Sequence, residues 1–230
     1  MKLPAVIVNF KTYPTGSGEK ALEMAKIHAK VAKETGVGIA IAVQAVDLRM
    51  IASEVDIPVL AQHFDFAEEG SYTGHITPYA VKASGAFGSL LNHSERRLSL
   101  DDIEESLDMA RNLGLYTIVC ADSAYTGNAV SKLDPDMVAV EPPELIGGDV
   151  SVCNAHPQLV RDSVEMIGKG KVLVGAGVKN KKDVQMAIHY GASGVLVASG
   201  ITKSLDPEKA LMDLVNGITD PYSGPVDAEC

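Results

Sequence analysis

Apolar residues in this chain gather into eight short runs, at 5–8, 37–43, 57–61, 86–91, 115–120, 137–140, 171–174 and 194–197. Most are nearly continuous Val, Ile, Leu and Ala. A strand with one wet face alternates apolar and polar residues; an unbroken run belongs to a strand buried on both faces, as in a parallel sheet covered by helices. Between the runs the period changes. Leu100, Ile103, Leu107 and Ala110 recur at spacings of three and four, which puts them on one face of a helix over 100–113. Ser99 stands where its N-cap belongs, and Gly114 closes it. A second helix is predicted over 179–190, stopped by Gly191, and a last one starts at Asp206-Pro207, a cap followed by proline in the first turn. The segments after the third, fifth and sixth runs are less clearly helical.

Eight strand–helix alternations in 230 residues predict a single closed (β/α)8 barrel, here assigned to residues 1–218. The rival is an open doubly wound sheet, but no GxGxxG follows the first run, where a dinucleotide fold places it. No Pro/Gly/Ser-rich linker divides the chain. Residues 219–230 are polar, contain two prolines and lack periodicity, so a disordered tail is expected there.

Composition narrows the function classes. Hydrophobic residues make up 46%, enough for one large core, and no window of 18 apolar residues suggests a membrane span. Met1-Lys2-Leu3-Pro4 runs directly into the first apolar segment without a leader-like pattern, so a cytoplasmic location is expected. The three cysteines, Cys120, Cys153 and Cys230, are odd in number and widely spaced, which fits a reduced compartment. No CxxC or Cys/His metal spacing occurs, so neither metal nor cofactor is expected. The net charge of −10 and the lack of a basic run argue against nucleic acid as a partner. An anionic small molecule stays open, because one lysine and a few backbone N–H groups in a cleft outweigh the global sign.

Barrel active sites form at the C-terminal ends of the strands. Following the eight runs stand Asn9 with Lys11, Gln44, Gln62, His93, Asp122, Glu141, then Gly175-Ala176-Gly177 and Ala198-Ser199-Gly200. Six ends are polar or ionisable; the last two are small turns suited to a phosphate. Each residue also has a plainer reading. Glu141 could cap a turn or pair with a base, His93 could be a satisfied core histidine, Lys11 a surface lysine, and the glycines mere turn formers. Against those stand the position of each at a strand end, the Pro142-Pro143 pair that fixes the chain after Glu141, and the segment 144–152 with Gly147-Gly148, which reads as a lid. Backbone N–H groups of a turn after His93 would favour its neutral form.

Four motifs then resemble the triosephosphate isomerase family in order along nearly the whole chain: Asn9-Phe10-Lys11, Tyr72-Thr73-Gly74-His75-Ile76-Thr77-Pro78, Asn92-His93-Ser94-Glu95-Arg96-Arg97, and Ala139-Val140-Glu141-Pro142. The resemblance implies the TIM barrel and interconversion of glyceraldehyde 3-phosphate and dihydroxyacetone phosphate through an enediol, with a glutamate base working beside a neutral histidine as is established for the family. It implies Glu141 as base and His93 as electrophile. Lys11 would bind and polarise the substrate, Asn9 hold the rim and Glu95 orient the site. Residues Ile146, Gly147, Gly177, Ala198 and Ser199 would contact the phosphate. It also implies that Tyr72 and Thr73 reach a neighbouring subunit.

The departures are Phe10 where tryptophan is common, His75 where glutamate often follows Thr-Gly, the altered glycine turns, and a shorter second half. These resemble the compact archaeal branch, which implies a homo-oligomer, a tetramer ahead of a dimer. The competing readings are another phosphosugar barrel enzyme, a metal-dependent hydrolase using His63, His93, Asp122 and Glu141, and a non-catalytic phosphate-ligand barrel.

Overall fold

The computed structural model describes residues 1–142, 157–220 and 222. Eight strands run in sequence: β1 Ala5–Asn9, β2 Gly38–Val43, β3 Val59–Ala61, β4 Gly88–Leu91, β5 Tyr116–Ala121, β6 Met137–Val140, β7 Val172–Gly175 and β8 Gly194–Val197. Each pairs in parallel with the next, and β8 returns to β1 with Ala5 opposite Gly194, so the barrel is closed.

The unbroken apolar runs follow from two cores that share the same strands. Ile7, Ala40, Ala42, Leu60, Leu90, Ile118, Cys120, Met137, Ala139, Leu173 and Leu196 fill the barrel interior. Their chain neighbours, such as Val6, Val8, Ile39, Ile41, Val138 and Val140, face outward and meet the helices. Both faces are dry, with Ser89 and Thr117 as buried polar residues inside the strands, and the amide, imidazole and carboxylate side chains come where the strands end.

A helix follows every strand among the described residues: α1 Gly18–Thr35, α2 Leu48–Ala52, α3 Pro78–Ala83, α4 Leu100–Leu113, α5 Ala124–Ser131, α6 Pro157–Ile167, α7 Lys181–His189, and α8 Ser199–Thr202 followed by α9 Pro207–Thr219. The structure bears out α4 at both ends. Ser99 accepts from the Asp102 N–H while Asp102 reaches back to the Ser99 N–H, and Gly114 takes the left-handed φ of 62° that ends the helix.

Two differences have simple causes. The third run shortens from 57–61 to Val59–Ala61, because Pro58 has no N–H for the ladder, although its carbonyl still accepts from Ile41. Helix α7 starts at Lys181 instead of 179, because Asn180 caps it by accepting from the Asp183 N–H. Of the three segments that read less clearly as helical, those after β3 and β5 form α3, with six residues, and α5, with eight, and the one after β6 is described from residue 157 on, as α6. Within α5, Gly127 looks like a helix breaker. It is there because α6 crosses it: a Cβ would sit 2.7 Å from Ile167 Cδ1.

Most of the segment 219–230 lies outside the described residues. Of it, Thr219 is the last residue of α9, Asp220 caps that helix, and the Tyr222 ring lies 5.0 Å from the His189 ring.

Candidate active site

The mouth at the C-terminal ends of the strands brings some of the polar strand-end residues into one cavity of about 230 Å³, while Gln44 and Gln62 line a neighbouring hollow and Asp122 lines neither. Asn9, Lys11, His93, Glu95, Glu141, Gly177, Ala198 and Ser199 all line it. The segment containing Ile146 and Gly147, with the expected lid over 144–152 and Pro143, lies outside the described residues.

Lys11 is held by its backbone. Its φ is 50°, a left-handed conformation that a non-glycine residue adopts only when its surroundings enforce it. Asn9 Oδ1 accepts from the Lys11 N–H at 3.0 Å, and Gln62 Nε2 donates to the Lys11 carbonyl at 2.9 Å. The side chain, 12% exposed, then crosses the mouth and donates to Glu95 Oε1 at 2.8 Å. Gln62 is a residue to which the sequence assigns no role beyond closing a strand.

His93 reaches the cavity through an irregularity. Leu90 faces the barrel interior and Leu91 the helices, so strict alternation would turn His93 outward. Asn92 breaks the alternation with a φ of 58°. Its side chain fixes that turn, donating to the Cys120 carbonyl at 2.9 Å and accepting from the Leu98 N–H at 2.9 Å. The Glu95 N–H donates to His93 Nδ1 at 3.1 Å, so the proton of the neutral ring sits on Nε2. A second proton on Nδ1 would face that N–H. Burial, and after it the Lys11 charge, push His93 down to about 4, leaving a neutral donor at ordinary pH.

Glu141 follows β6 and is tied to β5 through its N–H, which donates to the Ala121 carbonyl at 2.8 Å. Its carboxyl is buried, and Oε2 has no hydrogen-bond partner. That oxygen lies 3.8 Å from His93 Nε2. Burial raises Glu141 to about 7, against the opposing pull of the Cys120 thiol that hydrogen-bonds to it and of the Lys11 and Arg97 charges. The same burial, with Glu141 beside it, pushes the Cys120 thiol well above its usual value. The site therefore holds a carboxyl poised near neutrality and a neutral imidazole N–H, both aimed into one small cavity.

Gly175, readable in the sequence only as part of a turn, makes room for that carboxyl. A Cβ at Gly175 would sit 2.3 Å from Glu141 Cγ and 2.8 Å from Oε1. Beyond it, Ala176 and Gly177 both have φ of 69°, a pair of left-handed residues that turns the chain along the cavity wall beside Ala198 and Ser199, which follow the paired strand β8. Tyr13 also lines the cavity, with Lys203 Nζ 4.6 Å from its ring centre.

The hydrolase set is not assembled. His63 pairs with Asp65 at 3.1 Å, and Asp122 lies 3.5 Å from Arg97. Among the described residues, no three His, Cys, Asp or Glu side chains group as a metal site, and no helix is long and apolar enough to cross a membrane.

Comparison with known proteins agrees with this geometry. The family model described as triosephosphate isomerase matches residues 4–218. Among curated relatives, the triosephosphate isomerase of Methanosarcina barkeri is 47% identical over 219 residues, covering 94% of this chain and 99% of the relative. That of Methanobacterium bryantii is 48% identical over 219 residues, covering 94% and 97%. That of Methanocaldococcus jannaschii is 46% identical over 217 residues, covering 93% and 99%.

Proposed function

This chain belongs to the triosephosphate isomerase family and interconverts triose phosphates, and we propose that Glu141 and His93 carry the proton transfer between glyceraldehyde 3-phosphate and dihydroxyacetone phosphate. The observation that carries this reading is the unpartnered, buried Glu141 Oε2 standing 3.8 Å from His93 Nε2. A base that lacks a partner in the resting site is ready for a substrate C–H. A neutral N–H donor beside it serves the oxygen on the adjoining carbon.

In the step, Glu141 takes the proton from the carbon next to the carbonyl. The C–H electron pair becomes the C=C of an enediol, and the carbonyl π pair moves to oxygen, where His93 Nε2–H and the Lys11 ammonium stabilise it. His93 Nε2 gives its proton to that oxygen and takes one from the hydroxyl of the first carbon, whose freed electron pair forms the new C=O as Glu141 returns its proton to the neighbouring carbon. Lys11 gives the cavity the cation that an anionic substrate needs in a chain of net charge −10. Asn9 keeps Lys11 in its left-handed turn, and Glu95 aligns the ammonium. Backbone N–H groups of Gly177 and of Ala198-Ser199 receive the phosphate, together with Ile146 and Gly147.

The test is kcat/KM for isomerisation against pH with a chelator present. Protonation of Glu141 removes the base, so kcat/KM falls as pH drops below about 7, tenfold per pH unit at the limit, and levels off above it. His93 stays neutral down to about 4 and adds no limb in that window. A flat profile between about pH 5.5 and 8 overturns Glu141 as the base, and a phosphate-ligand barrel without catalysis gives no turnover at all.

The oligomer and the location belong to the same reading: a cytoplasmic homo-oligomer, a tetramer ahead of a dimer. Support comes from a second hollow of about 380 Å³ that shares Lys11, His93 and Glu95 with the first. It is walled by Val46, which is 86% exposed, while Tyr72 stands out on the loop at 45%. A neighbouring subunit's loop seated there would cover that apolar surface and prop Lys11. Specific activity is then expected to fall on dilution through the dissociation range; activity proportional to protein across it contradicts the arrangement.

A further inference from the structure

The loop between β3 and α3 is fastened at its base by one carboxylate, Asp65. Its N–H donates to the Ile76 carbonyl at 2.7 Å, and its Oδ2 accepts from the Ile76 N–H at 2.7 Å, so the loop from 65 to 76 is pinched shut. Its Oδ1 accepts from Arg96 Nη2 at 2.6 Å and lies 3.1 Å from His63 Nε2. Both oxygens are used, and the side chain is only 16% exposed, which separates this pair from a solvated surface ion pair of little consequence. Burial alone would raise the Asp65 carboxyl, yet it sits below the usual carboxylate value because Ile76, His63 and Arg96 all favour its charged form.

Arg96 leads directly into the site. Its N–H donates to the His93 carbonyl at 2.8 Å, closing the turn whose middle N–H, that of Glu95, fixes the His93 tautomer. The same turn delivers the Glu95 carboxylate to Lys11 at 2.8 Å. The turn is thus held from one side by Asn92 and from the other by the Asp65–Arg96 pair.

We propose that Asp65 is a positioning residue for the reaction: through Arg96 it sets the His93–Arg97 turn, and with it the reach of His93 Nε2 and the meeting of Glu95 with Lys11. The inference rests on the reading of Glu141, His93 and Lys11 given above and deepens it. Misplacement of a reacting group by a fraction of an ångström to one ångström is enough to lower the rate by one or two decades, while the phosphate turns after β7 and β8 lie on the far wall and should not notice.

The experiment compares Asp65→Asn, Arg96→Gln, Arg96→Lys and the double variant Asp65→Asn/Arg96→Gln with the wild type. Turnover is read together with inhibition by inorganic phosphate. Asp65→Asn keeps the shape and an acceptor for Ile76 but loses the charge that holds Arg96. Arg96→Gln leaves the loop base intact, and since Arg96 is 60% exposed, folding survives its replacement even if Asp65→Asn fails to fold.

The expected result is a fall in kcat/KM of about tenfold for Asp65→Asn and Arg96→Gln, partial recovery in Arg96→Lys, no further loss in the double variant, and unchanged inhibition by phosphate. A folded Arg96→Gln within about twofold of wild type, losses that multiply in the double variant, or phosphate inhibition that weakens in step with turnover overturns the proposal. Absence of turnover in the wild type overturns the reading of the site as well.

Discussion

Glu141→Gln is expected to lower kcat about 10²- to 10⁴-fold while inorganic phosphate inhibits the residual activity as before. The substitution keeps the volume and keeps a carbonyl oxygen for the Cys120 thiol, but it replaces the free oxygen near His93 with an amide that cannot take a proton. A second readout separates chemistry from damage. The fold holds the Glu141 carboxyl at about 7, above the ordinary 4.5, so the folded protein prefers it protonated. The cost of its charge is absent below the ordinary value, grows as pH rises between the two, and is complete above about 7, at roughly 3 kcal/mol. Glu141→Gln should therefore melt higher than the wild type at about pH 8, with the gain fading toward pH 5. A variant that loses both activity and stability at pH 8 would mean that the glutamine disturbs the site by its shape.

The second large effect is expected at Gly175. An added methyl would stand 2.3 Å from Glu141 Cγ, well inside contact distance, and the wall behind it is the barrel itself. The carboxyl has to move, by roughly an ångström, which costs on the order of 10²-fold in rate. Gly175→Ala should thus lower kcat far more than it changes inhibition by phosphate, and its stability should fall by about 1–3 kcal/mol for the overpacking. Steady-state kinetics and a urea titration check both. Wild-type kcat in a folded Gly175→Ala protein would show that Glu141 does not work from the position seen here.

Much of this is legible in the sequence. The unbroken Val/Ile/Leu runs point to strands dry on both faces, and eight of them alternating with helices favour a closed barrel over an open doubly wound sheet. The polar residues one or two positions past each run had to face the mouth, and Asn9, Lys11, His93 and Glu141 do line one cavity. What stayed hidden depends on backbone irregularity and on contacts between distant segments. Simple alternation would turn His93 the wrong way; only the left-handed Asn92, with its two side-chain bonds, re-aims it. Gly175 reads as a turn glycine because nothing in the sequence says that a carboxyl from another strand occupies the space of its missing Cβ. Asp65 sits in a loop with no periodicity, and its partner Arg96 is 31 positions away. The short helices α3 and α5 escape a period of 3.6 because they contain barely two turns.

Cys120 sits inside the barrel beneath Glu141, fully buried, with a thiol that burial keeps from ionising. Thiol reagents attack the thiolate, and none can reach this one while the eight strands stay joined. Its slow labelling would therefore keep time for the molecule: each modification at Cys120 records one moment when the strand ring came apart, a clock for rare openings that an activity assay does not register.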